Sequence, residues 1–150
     1  MVEIKVTYKG FDYHEAGAIA QTAPLLRRVH RSLTRQIATE ARHRVPVLTG
    51  HLGRSIGEDP QRMDGPLIVG GGVTAWAKYA RFVHNGTGVY GPSGMPFVIR
   101  PRNPAGVLHF FWNGKEVFAK SVTVKGMRGR PFLTNAGTAV TARDPRIRHG

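Results

Sequence analysis

Val2, Ile4, Val6 and Tyr8 alternate with Glu3, Lys5 and Thr7 at the start of the chain. A period of two predicts a half-buried strand with one polar face, ended by Lys9-Gly10. From Thr22 the period changes. Leu26, Val29, Leu33, Ile37 and Ala41 recur at spacings of three, four, four and four, which is one apolar stripe along a helix. Thr22 is the expected N-cap, and Pro24 falls in the first turn, where its missing N–H is tolerated. Pro46 disfavours helical geometry at Val45, so the helix is expected to stop near Arg44.

Beyond the helix the signals shorten. Residues 66–73, "PLIVGGGV", predict a strand running into glycine. Residues 76–87, "WAKYARFVHNGT", predict a short helix ending at Asn85-Gly86, with Trp76, Tyr79, Ala80 and Val83 on one side. The stretch 86–106 is crowded with Gly and Pro and predicts a loop, with a short strand at 97–100. Asn113-Gly114 between two apolar runs is a strong hairpin signal. Residues 130–140 predict a short closing helix, and 143–150 a basic tail, mobile unless a partner holds it. The order predicts an α+β fold: a single domain over 1–142, with one long helix packed on a twisted antiparallel sheet, a β-hairpin near 107–124 and a short C-terminal helix.

Composition changes this picture in one respect. The 150 residues are 41% hydrophobic, ordinary for a globular chain, and no apolar run approaches membrane-spanning length. The absence of Cys excludes disulfides and thiolate metal sites, and fits a protein made in a reducing cytoplasm. Charge is the outlier. The 22 Lys and Arg against 9 Asp and Glu give a formal net charge of +13, and 16 of the cations are Arg. Six of these (Arg27, Arg28, Arg31, Arg35, Arg42 and Arg44) lie on the long helix with one acid, Glu40. One helix face therefore enters a core while the other is cationic, suited to nucleic acid or an acidic protein.

Catalytic constellations are missing from the sequence pattern. The seven His are scattered without HExxH spacing, acids are too sparse for a two-carboxylate hydrolase, and "GPSGM" lacks a nucleophile-elbow spacing. No cofactor, metal or catalytic residue is expected. Gly70 to Ala75 matches GxGxxA, but no acid follows about 20 residues on, so the glycines read as a bulge or close backbone approach. Phe110, Phe111 and Trp112 are consecutive on a strand and cannot form one stacking platform for bases.

Three motifs, taken in order, go further. "VPVLTGHLGRSI" (45–56) resembles the P-V-x-T-G-x-L-x-x-S-I signature that follows the first long helix in neck and tail-completion proteins of long-tailed bacteriophages. "YARFVHNGT" (79–87) is similar to that family's Y-A-x-x-V-E-x-G-T, and "RPFLTNA" (130–136) to its closing P-F-L-x-x-A. The resemblance carries over Pro46, Thr49, Gly50, Leu52, Ser55 and Ile56, then Tyr79, Ala80, Val83, Gly86 and Thr87, then Pro131 and Phe132. Leu48 and His84 depart from it, standing where the family often has Asp and Glu.

What the resemblance implies is a structural virion protein: a ring in the head-to-tail connection, around the channel through which DNA leaves. Six copies are the preferred number and twelve the second choice. The expected neighbours are head-closure or adaptor proteins and tail-terminator or tail-tube proteins, with non-specific contact to genomic DNA and none to membrane. The protein would be made in the host bacterial cytoplasm and end in the virion. A tail terminator capping the tube is the alternative within phage, and a basic DNA-binding protein without a virion role the alternative outside it. On this reading Thr49-Gly50 redirects the chain from helix to sheet. Arg28, Arg31, Arg35 and Arg42 face the channel or an acidic neighbour, and the loop 86–105 is a subunit interface through Tyr90, Met95, Phe97, Arg100 and Arg102.

Overall fold

The computed structural model describes residues 1–5, 7–9, 16–46 and 50–147. The chain combines helices with small antiparallel sheets, the α+β class expected. It forms two compact units, one from Met1–His84 with Pro131–Gly150 and one from Asn85–Arg130.

The first unit begins with β1 (Val2–Lys5) and β2 (Tyr8–Lys9), followed by the 29-residue helix α1 (Ala16–Arg44). The helix starts earlier than Thr22, and Pro24 lies inside it. The sequence around residues 16–20, "AGAIA", explains the difference. It is rich in alanine, the best helix former, and the proline removes only one hydrogen bond from a long helix. Next come α2 (His51–Arg54), β3 (Ile56–Glu58), β4 (Arg62–Gly65), β5 (Ile68–Gly70), β6 (Gly72–Ala75) and α3 (Ala80–Asn85), and α4 (Phe132–Arg143) closes the unit.

Two three-stranded sheets result, in the orders β1-β6-β3 and β2-β5-β4. The single strand expected over 66–73 is thus two strands in different sheets. Gly71, at φ +153°, separates them, and a Cβ there would press on the ring of His30. Only glycine allows so close an approach. β4 was not anticipated: "RMDG" has no apolar alternation and is a strand because it pairs with β5.

The stripe along α1 fills the main core as expected. Leu33, Ile37, Ala38 and Ala41 meet Val73 and Ala75 of β6, Ile56 of β3, and Phe132, Leu133, Ala136 and Val140 of α4. Leu26 joins a smaller cluster with Leu67 and Val69. The end of the chain is held too. Asp144 accepts hydrogen bonds from the backbone N–H (3.0 Å) and guanidinium of Arg146, and Ile147 packs on the main core. The tail is therefore ordered through Ile147, not free from residue 143.

The second unit holds a 3-10 turn (Gly88–Tyr90), then β7 (Phe97–Ile99), β8 (Leu108–Trp112), β9 (Lys115–Ala119) and β10 (Val122–Val124). β8 and β9 form the expected hairpin. Asn113 (φ +50°) and Gly114 (φ +76°) occupy the two left-handed turn positions that a type I′ turn needs. β10 leaves the hairpin at Lys120-Ser121 and pairs with β7 instead. The segment 86–105 is consequently more structured than a loop.

Candidate functional site

The first motif builds a chain reversal. Gly50 adopts φ +70°, at the left-handed entry to α2. Leu52 and Ile56 are buried, and Pro46 is half-buried. The Ser55 hydroxyl donates to the Leu52 carbonyl at 2.7 Å, while its own carbonyl accepts from the Trp76 amide at 3.0 Å. Its polar group therefore holds the α2–β3 junction. Thr49 and Leu48 lie outside the described residues.

The second motif works in both units. Tyr79 is exposed and its hydroxyl lies 3.3 Å from Nδ1 of His51. Ala80 is fully buried, and Val83 packs at the core margin. In the second unit, Gly86 (φ +81°) and Gly88 (φ +63°) let the backbone run against residues 125–129. The Thr87 amide donates to the Met127 carbonyl at 2.8 Å, and the Thr87 hydroxyl accepts from the Met127 amide at 3.0 Å. In the third motif Pro131 precedes α4, accepting the Asn135 amide, and Phe132 is the largest fully buried side chain.

His84, at the glutamate position of the family pattern, is buried and edge-on to Phe132, with ring centroids 5.4 Å apart. Its Nε2 lies 3.2 Å from the Thr134 hydroxyl, and its Nδ1 has no hydrogen-bond partner among the described residues. Burial lowers its pKa below the ordinary imidazole value of 6.5, because a charged ring there would lose its hydration. The unfolded chain thus binds this proton more readily than the folded one. The His84 contribution to stability falls as pH drops below about 6.5. Denaturation midpoints measured from pH 7.5 to 5 should decline more steeply for the wild type than for His84→Gln; equal slopes would refute this.

The strongest polar feature is a cationic ridge on α1. Arg28, Arg31 and Arg35 recur at helical spacing and are all exposed. Neither Arg28 nor Arg31 has an ion-pair partner among the described residues. Arg35 reaches Glu58 only at 3.8 Å, with most of its side chain in solvent. Arg42, on the same stripe, is placed differently. Its guanidinium donates to the Ile56 carbonyl at 2.7 Å and so fastens β3 to α1.

Two open clefts flank the ridge. One, of about 510 Å³, lies between α1 and α4, with Arg28, Arg31, Arg35 and Arg143 against a single acid, Glu40. Glu40 is already engaged by Arg44 at 2.7 Å and by Arg143 at 3.8 Å. The other, of about 550 Å³, is lined by Arg27, Arg31, Arg35 and Arg62, with Glu58 and Asp59. Like charges at three- and four-residue spacing repel by about 0.2–0.5 kcal/mol per pair. An external polyanion would relieve that repulsion. Among the described residues no three His, Asp or Glu side chains group as metal ligands, and no helix is long and apolar enough to cross a membrane.

The interface residues expected in the loop are all exposed: Tyr90, Met95, Phe97, Arg100 and Arg102. Tyr90 also carries Arg128 over its ring at 5.3 Å. What the sequence reading missed is an aromatic face on the hairpin. The two-residue turn sets His109 opposite Phe118, and their rings stack at 4.7 Å. Phe111 lies on the same face, 5.6 Å from His109. Counting outward from Asn113-Gly114 would have revealed it.

No protein-family description, curated protein or solved structure matches this chain in sequence or fold comparison.

Proposed function

We propose that the chain is a structural, non-catalytic subunit of the head-to-tail connection of a long-tailed bacteriophage, a neck or tail-completion protein ringed around the DNA channel. The observation that carries this reading is the ordered trio of motifs from Pro46 to Ala136. Gly50, Leu52, Ile56, Gly86, Thr87 and Phe132 are spent on chain reversal, close backbone packing and core. That use suits a protein whose task is to hold a shape. The exposed Arg28, Arg31 and Arg35 ridge suits a surface that DNA or an acidic neighbour passes.

In this reading six copies close the ring, with twelve the second choice, between head-closure or adaptor proteins and the terminator or tube of the tail. The protein is made in the host bacterial cytoplasm and resides in the virion. Cryo-EM of the parent particle tests it: a closed ring of this chain in the neck is expected. A position capping the tail tube would favour the terminator role instead, and absence from the particle would refute both.

The ridge itself favours a second reading, a basic DNA-binding protein without a virion role. Each phosphate contact contributes about −0.9 to the slope of log affinity against log salt. The triple change Arg28→Glu, Arg31→Glu, Arg35→Glu should therefore flatten the slope for duplex DNA by about 3. An unchanged slope would remove DNA as the partner of this face.

A further inference from the structure

We propose that the cleft between α1 and α4 is a docking groove for an acidic helical segment of another protein, whose carboxylates meet Arg28, Arg31 and Arg35. The inference rests on the reading of the α1 ridge as a partner surface, and commits that surface to carboxylates in place of phosphates.

The cations come first. Arg28, Arg31 and Arg35 leave α1 at spacings of three and four residues, and a rise of about 1.5 Å per residue spreads them over about 10.5 Å. All three are exposed and line the cleft, and Arg143 of α4 stands at its far rim. The one acid in the lining, Glu40, is held by Arg44 at 2.7 Å, with Arg143 at 3.8 Å. It lies toward the C-terminal end of α1, so the half of the cleft around Arg28 and Arg31 is cationic without an acid to offset it. Each guanidinium fork there matches one carboxylate through two parallel N–H···O bonds.

The recess between the cations adds a neutral donor. Gln36 donates its amide to the Ser32 hydroxyl oxygen at 3.2 Å. Ser32 is half-buried, and among the described residues its hydroxyl hydrogen has no acceptor. It is therefore free to donate to an anion entering the cleft.

Two features choose a protein over a nucleic acid. The first is shape. Leu33, Ile37 and Ala41 of α1 pack on Leu133, Ala136 and Val140 of α4, and packed helices lie about 8–10 Å apart. The groove over such a pair is a seat for an amphipathic third helix. Carboxylates at positions i, i+4 and i+7 of that helix span the same rise as Arg28 to Arg35. Duplex phosphates ride on the outside of a wide, stiff cylinder, which meets the exposed guanidiniums but not the recessed Ser32. The second feature is Leu25. It precedes Arg28 by one turn on the same stripe and is 57% exposed. A phosphate backbone has no use for it, whereas an apolar side chain one turn beyond the carboxylates of a docked helix covers it.

The test uses the full chain and a fluorescein-labelled helical peptide with Glu at i, i+4 and i+7 of one face and Leu one turn beyond. A peptide of the same composition in scrambled order is the control. Fluorescence anisotropy at physiological ionic strength should show the patterned peptide binding on the order of tenfold tighter than the scrambled one. Arg28→Gln with Arg31→Gln and Arg35→Gln should weaken it on the order of thirtyfold, and Leu25→Ser about fivefold. Leu25→Ser should leave binding of a short DNA duplex unchanged. Should the triple variant misfold, the native chain decides: phenylglyoxal modification should be slowed by the patterned peptide at Arg28, Arg31 and Arg35, and not at Arg100 or Arg102. The inference is overturned if the scrambled peptide binds equally, if Leu25→Ser leaves the peptide's affinity unchanged, or if the peptide shields none of the three arginines. It is also overturned if the duplex shields them and displaces the peptide, which would make phosphates the ligand. Peptide binding at these residues by a chain absent from the virion would sink the proposed function alone. A neck ring whose ridge faces only DNA would sink this inference alone.

Discussion

Phe132→Ala should lower the thermal midpoint by roughly 6–20 °C. The ring is 1% exposed and is the largest fully buried side chain. It sits at the first position of α4, where Leu133, Ala136 and Val140 meet the α1 stripe through Leu33, Ile37 and Ala41. Truncating a buried phenylalanine costs about 3–5 kcal/mol, because a cavity adds to the lost transfer energy. A domain of this size is stable by only about 5–15 kcal/mol, and each kcal/mol moves the midpoint by about 2–4 °C. The ring also faces the edge of His84, so truncation removes that aromatic contact as well. Circular dichroism melts check the prediction, with Phe132→Leu as a milder companion that keeps part of the packing. A midpoint within about 2 °C of wild type for Phe132→Ala would show that the site collapses without a cavity.

How much of this was legible in the sequence depends on the range of the interactions involved. Local periodicity revealed the α1 stripe, because a helix repeats its buried positions every three or four residues whatever lies opposite. The Asn113-Gly114 turn announced its hairpin for the same reason: left-handed backbone is written into two adjacent residues. Phe132 stood out through its motif. β4 was invisible because nothing in "RMDG" alternates, and its strand exists only through β5. The break at Gly71 and the pairing of β7 with β10 are likewise set by distant partners. The candidate site divides in the same way. The Arg28, Arg31 and Arg35 ridge follows from helical spacing alone. The role of Arg42 does not, since its acceptor is a carbonyl on another element. The His109–Phe118 stack needed the strand register, which consecutive reading of Phe110, Phe111 and Trp112 obscured.

Gly126→Val should open the Asn85–Arg130 unit while leaving the core around Leu33 and Ile37 intact. Gly126 adopts φ +96°, which a β-branched residue avoids, and a Cβ there would overlap the carbonyl oxygen of Thr87. The neighbouring atoms are backbone, so no side-chain rotation relieves the overlap. What depends on this approach is the pairing of residues 87–89 with 125–127: Thr87 to the Met127 carbonyl and Val89 to the Lys125 carbonyl, both at 2.8 Å. With no buried large apolar side chain in the unit, these backbone bonds carry much of its order. Backbone strain of about 1–3 kcal/mol, before the overlap is counted, corresponds to roughly a 5- to 150-fold rise in the open population. Hydrogen exchange reads this directly, since amides of a locally opening unit exchange through it while core amides wait for global unfolding. The Thr87 and Val89 amides should exchange faster by about that factor, and those of Leu33 and Ile37 at the wild-type rate. Unchanged protection at Thr87 and Val89 would mean the close approach at Gly126 does not hold the unit together.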